Sequence, residues 1–260
     1  MTYAETGLVG TIEDLAAQRI EALSQAQLDG IDQFHAGGAE AVERLLPLLE
    51  LGPTTTVLDV GSGLGGPARQ VARATGSRVV GVDITPSYVD TAAALTRAAG
   101  LADRVEFRCT DVSDLDRSDF DAAYTIHVQM NVADKHGFFT GIADRLRPGA
   151  RLAVFEVCRT GDEDPGLPLP WSLDGTDSFL TTPGDLVDAI ESSGFETVEW
   201  VDESDWIAKW FQELGTRMAA ADTTATLPAL LEDGPTRMIN FAVAVSAGVL
   251  SVQRGAFTRR

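Results

Sequence analysis

A glycine-rich loop near residue 60 is the part of the chain best suited to binding chemistry. The sequence VLDVGSGLGGP, residues 57–67, runs from apolar, strand-type residues into glycines. Glycines let the backbone turn sharply and let a ligand approach main-chain N–H groups. Gly61, Gly63 and Gly66 also satisfy the spacing G-x-G-x-x-G, which nicotinamide and flavin enzymes share, so the spacing alone does not specify the ligand.

Three carboxylates lie near the ends of successive predicted strands. Asp59 comes two residues before Gly61, Asp83 ends the second strand, and Asp111 follows the third. Because open α/β sheets bind ligands at the carboxyl edge of their strands, we expect these acids to surround one ligand. Asp83 can accept two hydrogen bonds from a ribose diol, and Asp59 suits a cationic amino-acid group. The structural alternatives are a loop cap, a helix cap and a turn residue.

The segment from Asp59 to Val157 resembles the class I S-adenosylmethionine-dependent methyltransferases, and the similarity extends over roughly residues 30–200. VLDVGSGLGGPARQVA resembles their first motif, VVGVDIT the acidic second motif, CTDV the adenine motif and LRPGARLAVFEV the fifth strand. IDQFHAGG and HVQMNVADK are similar to the small-molecule subgroup that includes glycine, sarcosine and dimethylglycine N-methyltransferases and tocopherol methyltransferases. Ala150 departs from the PGG turn of many members.

The resemblance implies S-adenosylmethionine as the cofactor. The residues that it implies for cofactor binding are Asp59, Gly61, Gly63, Arg69, Asp83, Ile84, Asp111, Val112 and His127. It places Asp59 near the ammonium group and Asp83 on the ribose. It places Asp111 on the adenine, with Ile84 and Val112 as apolar walls. Arg69 would approach the cofactor carboxylate, with a role on the helix face as the alternative.

Methyl transfer needs an oriented acceptor and, for a hydroxyl group, a base. His127 follows the fourth predicted strand in TIHVQMN and can deprotonate or orient an acceptor. His35 lies in a segment broken by glycines, residues 30–38, and would face the methyl group if that segment folds over the cofactor. Glu156 ends the fifth predicted strand and can bind an ammonium group. These three are the catalytic candidates, and each has a structural alternative as a packed or capping residue.

Other residues are candidates for shaping the acceptor pocket. We predict as substrate-binding residues Gln129, Met130, Asn131, Trp171, Trp206 and Trp210. Aromatic rings can form a cage or an apolar wall, whereas simple packing of a lid onto the sheet is the alternative. No His/Cys cluster has zinc spacing and no Ser-His-Asp order is present, so we predict no metal and no acyl-transfer mechanism.

Apolar runs alternate with helical patterns from residue 56 onward, which predicts a parallel sheet with helices on both faces. The predicted strands are 56–60, 78–82, 104–109, 120–126, 151–158, 195–201 and 248–258. The predicted helices are 12–28, 39–49, 67–74, 86–99, 133–146, 183–193 and 206–221. The fold class is therefore α/β and Rossmann-like, a doubly wound sheet with N-terminal helices and a lid of helices and loops. The resemblance implies seven mostly parallel strands.

The predicted domain organisation is a helical cap followed by one larger domain. The cap covers residues 1–52, and the cofactor-binding domain covers residues 53–260. Two lid insertions are predicted, near residues 160–182 and 203–247, because their composition does not follow the strand–helix alternation.

Charge and hydropathy exclude several classes of partner. The net charge of −19 repels phosphate backbones, so a nucleic-acid partner is not expected. No apolar run approaches the roughly 20 residues that span a bilayer, and the first residues lack the pattern of a signal peptide. We therefore expect a cytoplasmic protein without a membrane partner. Homodimer formation stays open.

The expected function is S-adenosylmethionine-dependent methyl transfer to a small-molecule acceptor. The acceptor would be an amine, a phenol or an activated carbon of a metabolite or natural product. One alternative keeps the fold and cofactor without methylation, as in a cofactor-binding protein or a cyclase. The other alternative is a nicotinamide-dependent oxidoreductase.

Overall fold

One sheet forms the centre of the protein. The computed structural model describes residues 5–220 and 226–260, and within these ranges seven strands pair into this sheet. The strands are β1 (Thr56–Val60), β2 (Arg78–Asp83), β3 (Val105–Cys109), β4 (Phe120–Ile126), β5 (Leu146–Arg159), β6 (Phe195–Asp202) and β7 (Leu250–Arg259). Each predicted strand is present, and β5 begins earlier than predicted because Leu146 also pairs with Phe120.

Helices cover the sheet and form the N-terminal and lid segments. The described helices are α1 (Leu8–Ala16), α2 (Gln25–Asp32), α3 (Gly38–Leu45), α4 (Gly66–Thr75), α5 (Pro86–Ala98), α6 (Lys135–Arg145), α7 (Pro183–Ser192), α8 (Ser204–Ala220) and α9 (Gly234–Ser246). None of these described helices has both the length and the apolar character needed to cross a bilayer.

The strand order decides where a ligand can bind. It is β3-β2-β1-β4-β5-β7-β6, with β1 parallel to both β2 and β4, and β7 antiparallel to both β5 and β6. The chain therefore reverses its direction of winding between β1 and β4. In open α/β sheets the crevice at such a switch point is the ligand site. The predicted Rossmann-like, mostly parallel seven-stranded fold is confirmed.

The central strands are buried on both faces. Side chains of β1 and β4 alternate between two apolar clusters, with Val57 and Tyr124 in one cluster and Leu58 and Ala123 in the other. This burial explains the continuous apolar runs in the sequence, because helices pack on both sides of a parallel sheet. The strands thus provide a rigid base for the loops at their carboxyl ends.

Two of the predicted helices differ from the structure. The helix predicted over residues 12–28 is interrupted, because Ala17 has a left-handed backbone with φ of 51° and Ser24 starts α2 with a capping box to Gln27. The helix predicted over residues 206–221 begins at Ser204, and its predicted end, Ala221, lies outside the described residues. Residues 1–4 of the predicted cap also lie outside them.

The sequence does not predict α9. Its C-terminal part, INFAVAVS, is mostly apolar and contains three β-branched residues, which favours a strand. In the structure the segment is helical and buries Phe241 and Val245, while Ile239 and Val243 stay exposed. Tertiary packing of one helical face has overridden the local preference.

Candidate functional site

A cavity of about 490 Å³ lies at the carboxyl ends of β1 to β4, at the switch point of the sheet. Its volume falls in the range of small-molecule sites, roughly 300–1,000 Å³. The predicted residues that line it are Asp59, Gly61, Gly63, Asp83, Ile84, Asp111, Val112, His35, His127 and Asn131. The fold therefore brings most of the predicted cofactor residues to one place.

The glycine loop after β1 needs glycine for two different reasons. Gly61 has φ of +79°, and a Cβ atom there would lie 2.3 Å from the Val128 side chain. Gly63 has φ of +51°, and a Cβ atom there would meet nothing within 4 Å. Gly61 is thus required for the close approach of the loops after β1 and β4. Gly63 leaves open space on the cavity wall for a ligand.

Asp83 joins the glycine loop to the end of β2. Its Oδ2 accepts a hydrogen bond from the Gly63 N–H at 2.9 Å, and its Oδ1 accepts from the Thr85 N–H at 2.9 Å. Burial raises the pKa of this carboxyl, and the two backbone donors oppose that rise. Because a carboxylate oxygen can accept two hydrogen bonds, each oxygen of Asp83 can accept one more from a ligand in the cavity.

The wall beyond Asp83 combines apolar surface with one more acid. Ile84 leaves 72% of its surface exposed although it lines the cavity, which makes it an apolar platform for a planar group. Asp111 caps the short turn that follows it, since its Oδ1 accepts from the Ser113 N–H at 2.8 Å and hydroxyl at 2.7 Å. Val112 is buried on the same wall. Asp111 therefore both caps this turn, as the structural alternative proposed, and lines the cavity.

Asp59 is a buried acid that lies next to the Tyr124 hydroxyl. Its side chain is 3% exposed, and neither its Oδ2 nor the neighbouring Tyr124 hydroxyl makes a well-aligned hydrogen bond to the described residues. Burial raises the pKa of Asp59 to about 7, while Tyr124 and the Arg69 charge work in the opposite direction. A buried carboxyl of this kind favours a cationic ligand, because a cation would stabilise its charged form.

His127 follows β4 with a strained backbone. Its φ is 54°, an uncommon value for a residue with a Cβ atom. Its ring stacks on Phe155 with centroids 5.6 Å apart, and its Nδ1 accepts from the Ala36 N–H at 3.4 Å. Burial holds the pKa of His127 well below its usual value. The ring is therefore neutral, and its proton lies on Nε2, a buried atom without a hydrogen-bond partner among the described residues.

His35 lies beside His127, with ring centroids 6.0 Å apart. Its Nδ1 lies 3.1 Å from the Ala36 carbonyl oxygen, and its Nε2 lies 2.9 Å from Gln33 Oε1. Burial lowers the pKa of His35 to about 4. Because both nitrogens already contact protein groups, the structure leaves His35 as a wall of the cavity without a free nitrogen for proton transfer.

A second space, which we call the inner compartment, adjoins the cavity behind the two histidines. It has a volume of about 30 Å³, and Phe34, His35 and His127 line both spaces. Its other walls include Met130, Trp171 and Phe241. Trp171 is 1% exposed, and its indole N–H donates to the Ser178 hydroxyl at 2.9 Å.

The structure corrects the role expected for Glu156. This residue lies inside β5 rather than at its end, is fully buried and does not line the cavity. Its Oε1 accepts from the Thr125 hydroxyl at 3.0 Å, and its Oε2 accepts from the N–H groups of Val128 and Gln129 at 3.0 and 3.2 Å. Glu156 therefore fixes the backbone that follows His127, and its oxygens are not available to an ammonium substrate.

Replacing Glu156 by leucine is expected to lower the free energy of unfolding by about 2–5 kcal/mol. The Val128 and Gln129 N–H groups would lose their acceptor, and each unsatisfied buried donor costs about 1–3 kcal/mol. Glu156→Gln is the matched control, because its amide can keep an oxygen on the N–H groups and a nitrogen on Thr125. Urea denaturation measures both variants. Equal loss in the two would contradict this role.

Arg69 is also placed away from the cavity, which corrects its predicted approach to the cofactor carboxylate. Its side chain is 0% exposed and forms an ion pair of 2.5 Å with Asp32. It also donates hydrogen bonds to the Leu64 carbonyl at 2.8 Å, the Thr96 hydroxyl at 2.9 Å and the Ala92 carbonyl at 3.3 Å. The guanidinium therefore ties α2, the glycine loop and α5 together.

Three other predicted residues do not reach the cavity or the inner compartment. Gln129 is buried, and its Nε2 donates to the Val157 carbonyl. Trp206 packs on Gly37, where a Cβ atom would lie 2.7 Å from its ring, and Arg44 stacks on it at 4.1 Å. Trp210 is 8% exposed and packs near Gly38. The two tryptophans thus pack α8 against Gly37 and Gly38 at the start of α3.

Several lining residues are not among the sequence candidates. Phe34, Tyr88 and Phe138 line the cavity. Phe34 is adjacent to His35 and Tyr88 follows Asp83 closely, so proximity to a predicted site residue was the available signal. Phe241 has no such signal, because the sequence does not predict its helix.

Comparison with known proteins gives matches to methyltransferases. The sequence profile of a family described as a methyltransferase domain matches residues 57–149. Methyltransferase GfsG from Streptomyces halstedii is 34% identical over 136 residues, which are 52% of this chain and 49% of GfsG. The chain spans about half the length of the curated relatives that it matches. The matched segment, residues 57–149, contains the glycine loop and the three acids, so this part of the chain is similar to a methyltransferase domain.

Solved structures share the fold. A geranyl diphosphate C-methyltransferase from Streptomyces coelicolor A3(2), determined with S-adenosyl-L-homocysteine, superposes with a TM-score of 0.66 at 21% identity, covering 85% of this chain and 78% of that one. The [4+2]-cyclase SpnF superposes with a TM-score of 0.67 at 24% identity, covering 98% and 97%. At these identities the likeness concerns the fold alone.

Proposed function

We propose that this protein binds S-adenosylmethionine in the cavity and transfers the methyl group to a small-molecule acceptor. The observation that carries the proposal is that Asp59, Asp83 and Asp111 line one cavity at the ends of three neighbouring strands. A nicotinamide enzyme would use the acid at the end of β2, but it has no general need for a buried acid in β1 or a third acid after β3.

The residues present fit this cofactor. The buried Asp59 carboxyl, which lines the cavity, would lie near its ammonium group, and the space beside Gly63 would admit its methionine chain. Asp83 would accept hydrogen bonds from the ribose diol, and Ile84 would cover the adenine ring. Each contact pairs a group of the cavity with a complementary group of the ligand.

Bound in this cavity, S-adenosylmethionine supplies an activated sulfonium methyl group for in-line displacement. The protein would contribute position and exclusion of water. Phe34, His35 and His127 line both the cavity and the inner compartment, and we place the acceptor beside them. His127 carries its proton on Nε2, so it would orient the acceptor by donating a hydrogen bond rather than act as the base.

Calorimetry and product analysis test the proposal. We expect S-adenosylmethionine and S-adenosylhomocysteine to bind at one site per chain, and NAD not to bind. An acceptor screen that detects S-adenosylhomocysteine should then give a product heavier by one methyl group. Binding of NAD in place of the methyl donor would overturn the assignment.

Replacing His127 by alanine is expected to lower turnover by about a factor of ten or more, or about 1.4 kcal/mol of barrier. Affinity for S-adenosylhomocysteine should change little, because the lost hydrogen bond serves the acceptor. His127→Asn is a second variant, since asparagine tolerates the left-handed backbone and supplies a donor. His136→Ala, at an exposed histidine, is the control. Wild-type turnover in His127→Ala would remove His127 from this role.

The rival function keeps the fold and the cofactor but omits methyl transfer. The cyclase SpnF shares this fold over nearly the whole of both chains, so the fold alone is compatible with either function. The two functions differ in one measurement, the mass of the product. A rearranged product of unchanged mass, formed without S-adenosylhomocysteine, would favour the rival.

A further inference from the structure

The walls of the inner compartment are mostly apolar and carry no charge among the described residues. Trp171, Phe241, Met130, Leu231 and Met238 contribute apolar side chains to it. Among the described side chains that line it, the titratable ones are His35 and His127. Burial lowers the pKa of both, so that the two rings are neutral near pH 7. A molecule that enters this space therefore meets no charged side chain on the walls that the described residues form.

The charged groups behind these walls are already engaged. Arg237 is fully buried next to the compartment, and its guanidinium donates to the carbonyl oxygens of Leu169, Pro170 and Glu232. Glu156 accepts three hydrogen bonds from the protein, as described above. An anionic acceptor would therefore find no free guanidinium here, and a cationic acceptor would find no free carboxylate.

We infer that the inner compartment, whose volume of about 30 Å³ admits a group of about methyl size, receives the apolar tip of an uncharged acceptor, with the oxygen or other lone-pair atom of the acceptor on the His127 side. This inference rests on the proposed function. It follows because an ion moved from water into a space without a counter-charge loses solvation that the space does not replace. An apolar group, in contrast, is stabilised when it leaves water for an apolar space. Charged amino-acid, phosphate and diphosphate acceptors are thereby excluded from this compartment.

Two probes that differ in one substituent test the inference. p-Cresol carries a methyl group where 4-hydroxybenzoate carries a carboxylate. Calorimetry on the protein saturated with S-adenosylhomocysteine should show that p-cresol binds about tenfold more tightly or better. Equal affinities, tighter binding of the carboxylate, or binding of neither probe would overturn the inference.

A substitution in the wall of the inner compartment tests whether the probes bind there. Met238 lines the compartment and is partly exposed, so a lysine there can fold with its ammonium group near the space. Met238→Lys should reduce the preference for p-cresol over 4-hydroxybenzoate about tenfold or more. Met238→Leu is the matched control and should keep the preference. An unchanged preference in the lysine variant would overturn the assignment of the probes to this space.

The affinity for S-adenosylhomocysteine separates this inference from the proposed function. Met238 does not line the cofactor cavity, so all three proteins should bind S-adenosylhomocysteine equally. If the wild-type protein binds it and prefers the charged probe, the inference alone fails. If the wild-type protein does not bind it, both fail.

Discussion

Replacement of Arg69 by methionine is expected to lower the free energy of unfolding by about 3–5 kcal/mol, the usual cost of removing one partner from a buried ion pair. Both side chains of the Arg69–Asp32 pair are 0% exposed. Burial already raises the pKa of Asp32 to about 6, and without Arg69 its buried carboxyl would lose its counter-charge and would have to bind a proton or remain charged at a cost. Urea denaturation at pH 7 measures the loss.

Two control variants separate the loss of the buried ion pair from a general effect of replacing an arginine on α4. Arg73 lies one turn further along α4 and is exposed, so Arg73→Met should change stability by less than about 0.5 kcal/mol. The double variant Arg69→Met, Asp32→Asn should be more stable than Arg69→Met alone, because it also removes the unpaired charge. A free energy of unfolding of Arg69→Met within about 1 kcal/mol of the wild-type value would contradict a structural role for Arg69.

Replacement of Asp83 by asparagine is expected to weaken binding of S-adenosylhomocysteine about 100-fold, which corresponds to about 2.7 kcal/mol. Two effects add in this variant. A hydrogen bond to a charged group contributes about 1.5–3 kcal/mol, and the ribose diol would lose its charged acceptor. The asparagine NH₂ group would also face either the Gly63 or the Thr85 N–H, which both need an acceptor.

Calorimetry of the Asp83→Asn variant provides the measurement. Asp90 lies on α5, is exposed and does not line the cavity, so Asp90→Asn should leave the affinity unchanged. Far-UV circular dichroism checks that both variants are folded. A loss of less than about threefold in Asp83→Asn would mean that Asp83 does not hold the ribose.

The sequence alone determined the positions of the strands and the cofactor-binding edge. Buried parallel strands require continuous apolar runs, and these runs are visible locally, as in TVLDV and FDAAYTI. Gly61, Asp83 and Asp111 could be predicted as site residues because each lies next to the end of one of these strands. Parallel strands bring their carboxyl ends to one edge whatever their order, so these residues had to meet.

Only the tertiary structure decided which polar side chains are free to meet a ligand. Arg69 and Glu156 were reasonable site candidates by residue type, but their partners Asp32 and Thr125 lie 37 and 31 residues away in the chain. The inner compartment likewise combines Trp171 with Phe241 of α9, a helix whose local sequence favours a strand. Local patterns fix elements and backbone turns, whereas pairing and burial depend on contacts between distant segments, which one sequence does not specify.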